Sequence, residues 1–457
     1  MGRAINDPGL LTPTQASLLM DQYELTMAAS YHRRGMNEPA VFELFARHLP
    51  PHRDWLLVAG IGPALSLVEH LRFEREALDF VRSLGLPPDF VDYLAALRFT
   101  GDIDAMPEGT IAFADEPLLR VTAPRIEAQV VETLLLNQVN FQTAIATKAA
   151  RMVLAAGARG EIVDFSPRRD HGTDAAMKAA RSAVIAGATG TSNLAAAARY
   201  GLHPVGTMAH SYVLSFPDEQ QAFEAFMRDM PDNAVMLVDT FDTLGGVRHA
   251  IEAARATGVP LKGVRLDSGD LLALSQAARA MLDEAGMPHA RIVASGDLDE
   301  RRIAALVAAG APIDVWGVGT ALGTSQDAPT VGGVYKLVAH RPQGPGWRPV
   351  AKRSTDKETL PGPKQVFRRF RDGVMIEDVL ATADERLAGR RLLTPAMRGG
   401  RIVLDEPLET LRARAATSLD SLPPHLRRLD GPPEQAYPVR LSPTLRRLAT
   451  ALLDAAV

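Results

Sequence analysis

Short β-branched runs that end in acidic or small polar residues recur at a spacing of about 28 residues. Val235-Met236-Leu237-Val238 leads into Asp239-Thr240 and then Asp242. Val264-Arg265-Leu266 leads into Asp267-Ser268-Gly269-Asp270, and Ile292-Val293-Ala294 into Ser295-Gly296-Asp297. Ile313-Asp314-Val315-Trp316 follows, ending in Gly317-Val318-Gly319-Thr320. Helical patterns fill the intervals at 246–257, 271–285 and 298–309. This is a repeated βα unit. In such folds the strand C-termini share one side, and ligands bind there.

The series extends backward. It takes in a strand at 161–165, a helix at 174–186, a β-like stretch closing at Gly190-Thr191-Ser192, a helix at 193–200 and a strand at 204–210. Strands near 163, 189, 207, 237, 265, 294 and 316, with room for an eighth elsewhere, predict an α/β fold. The expected architecture is an irregular, TIM-like α/β barrel, and the competing one is an open doubly wound sheet. Against the open sheet, no GxGxxG follows the first strand of a βα unit, and no GxxxxGK[ST] occurs.

A chain of 457 residues exceeds one small core. The division expected is an N-terminal α+β domain over 1–135, the barrel over 136–335, and a segment over 336–457 that ends in a helical tail. Helices are expected at 17–29, 63–71 and 74–84, with a strand at 40–45 stopped by Leu49-Pro50-Pro51. A further helix is expected at 441–453. The formal net charge of −4 gives no overall bias toward nucleic acid. The absence of cysteine excludes disulfides, thiolate metal sites and a Cys nucleophile. No apolar run of membrane-spanning length occurs, and residues 1–14 lack the apolar core of a secretory leader. A cytoplasmic protein is expected. Lys352, Arg353, Lys357, Lys364, Arg368, Arg369 and Arg371 form a basic stretch broken by Pro361-Gly362-Pro363. It reads as a solvated face, with phosphate neutralisation as the alternative.

The tip around Asp267 suggests a site for a phosphorylated sugar. Arg265 can grip phosphate as a fork, and Asp267 and Asp270 can accept from sugar hydroxyls or hold a divalent metal, directly or through water. Ser268, Gly269 and a helix start offer small residues and free N–H groups. Phe165-Ser166-Pro167-Arg168-Arg169 sits between a strand and a helix. There an aromatic can stack on a flat ring, and two arginines can clamp a carboxylate or phosphate. His210, beside Ser211 at another strand tip, suits a phosphate-accepting nucleophile or a general base.

These residues resemble the nicotinate phosphoribosyltransferase family. Asp21-Gln22-Tyr23-Glu24-Leu25-Thr26-Met27 is similar to its D-x-Y-x-L-T-M opening, and Phe42 to Pro50 to its F-E-L-F-x-R-x-L-P strand. Phe165 to Arg169, Gly190-Thr191-Ser192-Asn193, Gly206 to Ser211, Gly263 to Asp270, Gly317 to Leu337 and Lys352 to Val366 resemble further family segments in the same order. The resemblance implies formation of nicotinate mononucleotide and pyrophosphate from nicotinate and 5-phosphoribosyl-1-pyrophosphate, with Mg2+ present and ATP as co-substrate. It implies that the segment over 336–457 returns to the N-terminal domain. It implies a homodimer with shared active sites, in which Phe165 and Tyr23 sandwich the pyridine ring, the tyrosine reaching across the interface. Arg168 and Arg169 would meet the base's carboxylate or the ribose phosphates. Asp239, Arg265, Asp267, Ser268, Gly269, Asp270, Gly296, Asp297, Gly317, Gly319 and Thr320 would line the phosphoribosyl site, with Arg265, Asp267 and His210 catalytic. His210, with Ser211 beside it, would take phosphate from ATP.

Ser192 bears on substrate choice. Related nicotinamide-using enzymes carry Asp in this segment, and a carboxylate there would repel the nicotinate carboxylate. Ser192 therefore favours the acid. The alternatives are a nicotinamide or quinolinate phosphoribosyltransferase of the same fold, and a non-enzymatic nucleotide-binding protein. Residues 373–457 carry no recognisable motif.

Overall fold

Packing divides the chain, a computed structural model describing residues 13–342, 346–352, 354, 357–429 and 436–454, into two units. One joins the residues up to Thr147 with those from Asp327 onward, and the other is Lys148–Gln326. The divisions thus fall inside helix Glu132–Ala156 and just after helix Thr320–Gly323, not at 135/136 and 335/336.

In the first unit a seven-stranded sheet has the order Arg348–Pro349, Gly333–His340, Pro39–Ala46, Pro117–Pro124, Asp102–Ala105, Thr394–Arg398, Arg401–Ile402. Its strand Pro39–Ala46 pairs antiparallel on both sides and is buried at every residue after the first. Side chains alternate between the two faces of a strand, so both faces are covered here. Glu43 is buried within that strand and accepts from the Lys364 backbone N–H at 2.7 Å, with Lys364 Nζ also 2.7 Å away. The pair ties this sheet to a four-stranded one, ordered Arg390–Arg391, Lys364–Arg371, Val374–Thr382, Val439–Leu441. Asp372 and Gly373, both at positive φ, close the hairpin between the two longest of these strands.

One expectation is corrected here. The basic stretch is not simply a solvated face. Lys364 and Arg368 are buried, and the Arg368 guanidinium binds both oxygens of Asp378, at 2.9 Å through Nε and 2.6 Å through Nη2. Arg353 lies outside the described residues. The chain beyond 373 supplies strands Val374–Thr382, Thr394–Arg398 and Val439–Leu441 and helix Leu408–Asp420 before the last helix, Pro443–Asp454.

The second unit is α/β. Its parallel sheet has six strands, in the order Gly190–Thr191, Glu161–Asp164, Val315–Val318, Arg291–Ala294, Gly263–Leu266, Val235–Leu237. Helices Thr173–Ile185, Leu194–Tyr200, Thr243–Thr257, Leu271–Glu284 and Glu300–Ala308 follow five of the strands, close to the predicted positions. The strand expected near 207 forms no ladder among the described residues. Pro204 makes one bridge to Thr191, and Asn233 Nδ2 donates to the Gly206 carbonyl at 2.8 Å. Proline has no N–H to give and glycine weakens a strand, which accounts for the interruption. The observed sheet is therefore six-stranded, not the seven or eight strands of the expected barrel.

Candidate active site

The strand-end acids divide into two groups by what their oxygens bind. Asp242, Asp270 and Asp299 cap helices, each accepting from backbone N–H groups of the first turn. Asp270 Oδ1 accepts from Leu272 N at 3.1 Å and Ala273 N at 3.2 Å, which gives this residue a structural task. Asp239 and Asp267 lie at the strand tips themselves. Asp239 Oδ2 accepts from Ser268 Oγ at 2.6 Å and from the Asp267 N–H at 3.1 Å. Its Oδ1 is buried without a hydrogen-bond partner, 4.0 Å from His210 Nε2.

A cavity of about 250 Å3 opens at these tips. It gathers Phe165, Arg168, Ser192, His210, Arg265 and Asp267, six of the residues picked from the sequence. Thr207, Met208 and Leu237 also line it. Arg265 donates to Asp267 Oδ1 through Nη2 and to Ser295 Oγ through Nε, both at 2.9 Å, and its guanidinium lies 5.4 Å from the Phe165 ring centroid. Burial pushes the Asp267 carboxyl upward, but the Ser295 hydroxyl and Arg265 outweigh it, with His210 adding, and hold it below the usual carboxylate range. Asp267 is therefore a carboxylate at neutral pH.

Phe165 is placed by its backbone and its neighbours. Its N–H donates to Val318 O at 2.8 Å, and a Cβ on Gly317 would lie 2.5 Å from the ring, so only glycine leaves that space. The turn behind it hangs on Asp164, which is buried and accepts from the Ser166 N–H at 2.9 Å and Thr191 Oγ1 at 2.7 Å. Ser166 Oγ in turn donates to Asp170 Oδ2 at 3.0 Å. Burial, with the Asp164 charge beside it, raises Asp170 to about 6. Ser192 is fixed through its N–H, which donates to Asp164 O at 2.8 Å.

His210 begins a short helix, with Nδ1 3.1 Å from Thr240 Oγ1. Its ring thus has a hydroxyl at one nitrogen and a carboxylate near the other.

The remaining predicted residues are not among those lining the cavity. Gly269, Gly296 and Asp297 shape turns at positive φ, and a Cβ on Gly296 would lie 2.1 Å from the Asp267 carbonyl. Gly319 and Thr320 start the short helix Thr320–Gly323. Ser211 and Arg169 are exposed. Tyr23 belongs to the first unit, is 46% exposed and hydrogen-bonds Glu132. Sequence reasoning assigned no role to Thr207, Thr240 or Ser295. For Ser295 the signal was available. Parallel register pairs Arg265 with Val293 and Leu266 with Ala294, so the 28-residue period sets Ser295 beside Asp267.

Family profiles described as the N-terminal domain, the family and the C-terminal domain of nicotinate phosphoribosyltransferase match residues 18–140, 161–339 and 387–449. The nicotinate phosphoribosyltransferase pncB2 of Mycobacterium tuberculosis is 48% identical over 431 residues, covering 93% of this chain and 91% of that protein. The crystal structure of human nicotinic acid phosphoribosyltransferase superposes with a TM-score of 0.81 at 29% identity, covering 94% of this chain and 99% of that one. The nicotinate-nucleotide pyrophosphorylase structure from Pyrococcus furiosus shares the fold, with a TM-score of 0.73 at 24% identity and coverage of 90% and 97%. The chain belongs to the nicotinate phosphoribosyltransferase family.

Proposed function

We propose that the protein joins nicotinate to 5-phosphoribosyl-1-pyrophosphate, giving nicotinate mononucleotide and pyrophosphate for NAD salvage. The observation that carries this reading is the cavity where the Arg265–Asp267 pair, Phe165, Arg168 and His210 converge at the strand C-termini. The pyridine nitrogen lone pair forms the new bond to the ribose anomeric carbon. The carbon–oxygen bond breaks, and its electron pair leaves with pyrophosphate. No proton need move at the nitrogen, so positioning dominates. Phe165 supplies an aromatic face, and Arg168 and Arg265 supply cations for the carboxylate and phosphates. Asp267, held ionised, stabilises positive charge that develops on the ribose.

Mg2+ suits the donor set. Asp267 Oδ2 accepts no hydrogen bond from the described residues, and a hard cation bound with phosphates needs only one or two carboxylates. No cluster of three acidic, His or Cys side chains is arranged for a metal among the described residues, which suits an ion held mainly by phosphate and water. When bound, Mg2+ would neutralise charge on the departing pyrophosphate.

ATP coupling would run through His210. Thr240 Oγ1, 3.1 Å from Nδ1, and the Asp239 carboxylate, 4.0 Å from Nε2, flank the ring, and a ring nitrogen would take the γ-phosphoryl group while ADP departs with the electron pair of the broken bond. Water then cleaves the phosphohistidine. Ser192 leaves the base pocket without the carboxylate that would repel nicotinate.

The barrel reading is retained as a proposal for the second unit, closed irregularly through residues 204–206. Its support is the Thr191–Pro204 bridge on one side and the Asn233–Gly206 bond on the other. A homodimer sharing Tyr23, and a cytoplasmic location, follow from the family reading. No described helix is long and apolar enough to cross a membrane.

The test is an end-point assay with phosphoribosyl pyrophosphate, Mg2+ and nicotinate, nicotinamide or quinolinate, each with and without ATP. Mononucleotide from nicotinate, increased by ATP, is the expected result. Product from another base would overturn the Ser192 argument, and no product from any base would favour a binding protein.

A further inference from the structure

We propose that Ser295 is a positioning residue for phosphoribosyl transfer, holding the Arg265–Asp267 pair with one carboxylate oxygen and one guanidinium nitrogen turned toward the substrate. This rests on the reading of the cavity as the phosphoribosyl pyrophosphate site. Ser295 is the first residue beyond strand Arg291–Ala294 and is 3% exposed. Its N–H donates to Leu266 O at 2.9 Å, continuing the parallel ladder one step past the strand. The next two residues, Gly296 and Asp297, turn back at positive φ, with Gly296 pressed on the Asp267 carbonyl. The hydroxyl is therefore fixed in place by backbone on both sides.

Ser295 Oγ donates to Asp267 Oδ1 at 2.5 Å and accepts from Arg265 Nε at 2.9 Å. Arg265 Nη2 donates to the same Oδ1. Three groups thus close a triangle in which Oδ1 is saturated and Nε and Nη2 are occupied. Oδ2 is left open to the cavity. Nη1 is left with only long contacts, 3.3 Å to Thr207 Oγ1 and 3.4 Å to Met208 O. Those two atoms are the ones that can turn to the substrate, Oδ2 toward the sugar or its Mg2+ and Nη1, once its long contacts yield, toward a phosphate. Without the hydroxyl, Arg265 loses its Nε acceptor and Asp267 Oδ1 loses one of its two donors, so both side chains can rotate.

Substitution separates this role from packing. Ser295→Ala should raise KM for Mg2+–phosphoribosyl pyrophosphate about tenfold, the worth of a hydrogen bond to charged groups. KM for nicotinate should change far less, because Arg265 and Asp267 are assigned to the phosphoribosyl half of the cavity. Ser295→Thr keeps the hydroxyl and should restore the KM for phosphoribosyl pyrophosphate. A Ser295→Ala enzyme with wild-type KM for phosphoribosyl pyrophosphate overturns the proposal, as does a folded Ser295→Thr enzyme that shares the alanine defect. A wild-type enzyme without product would instead sink the functional reading itself.

Discussion

At the scale of single residues, the site works by settling which protonation state and which atom each group presents. Asp267 stays ionised because two donors outweigh its burial. Asp170 shows the opposite balance, raised to about 6 by burial and by Asp164. In the unfolded chain Asp170 gives up its proton near the ordinary aspartate value, and in the folded chain only near 6. Between those values the folded state holds the extra proton, so stability falls as pH rises through that window. Asp170→Asn should flatten the stability profile between about pH 4 and 6, read by urea unfolding across pH; an unchanged slope would contradict the assignment. Ser192 makes a second residue-scale prediction. Ser192→Asp should lower kcat/KM for nicotinate by about tenfold or more through like-charge repulsion, relative to nicotinamide. Unaltered discrimination would remove Ser192 from the specificity argument. Phe165, Arg168, Ser192, His210, Arg265 and Asp267 were legible from residue type and strand-tip position. Thr240 was not assigned, because hydroxyls at turns have so many local uses that only the three-dimensional partner distinguishes them, whereas the 28-residue period already set Ser295 beside Asp267.

At the scale of elements, the 28-residue period located the strands at Val235, Gly263 and Arg291 with the helices that follow them, and the next β-branched run located the strand at Val315. It failed at 204–210, where an apolar pattern around Pro204 and Gly206 suggested a strand that hydrogen bonding does not complete. The basic stretch failed for a different reason. Charge count says nothing about pairing, and Lys364 and Arg368 find Glu43 and Asp378 on other strands. The Glu43–Lys364 pair predicts a stability effect. Lys364→Met should cost about 3–5 kcal/mol, because it strands a buried carboxylate. The double variant with Glu43→Leu should be less destabilised than that single variant, measured by urea unfolding. A single variant as stable as wild type would show that the pair is dispensable.

At the scale of the whole molecule, the chain joins a mainly antiparallel unit of three sheets, built from both ends of the sequence, to a parallel α/β unit built from the middle. The return of the C-terminal segment was readable only through the family resemblance, since strands such as Thr394–Arg398 find their partner, Asp102–Ala105, nearly three hundred residues away. Local periodicity carries no record of such pairings. The chemistry, by contrast, is concentrated in the parallel unit, at tips that the period itself marks. Asp267 tests that claim most directly. The measurement is the initial rate of nicotinate mononucleotide formation by wild type and by Asp267→Asn, with Mg2+ and phosphoribosyl pyrophosphate. Removing a charge that stabilises the ribose cation should lower kcat/KM by about a hundredfold or more while the thermal midpoint stays near wild type. A folded Asp267→Asn enzyme with wild-type turnover would contradict the account.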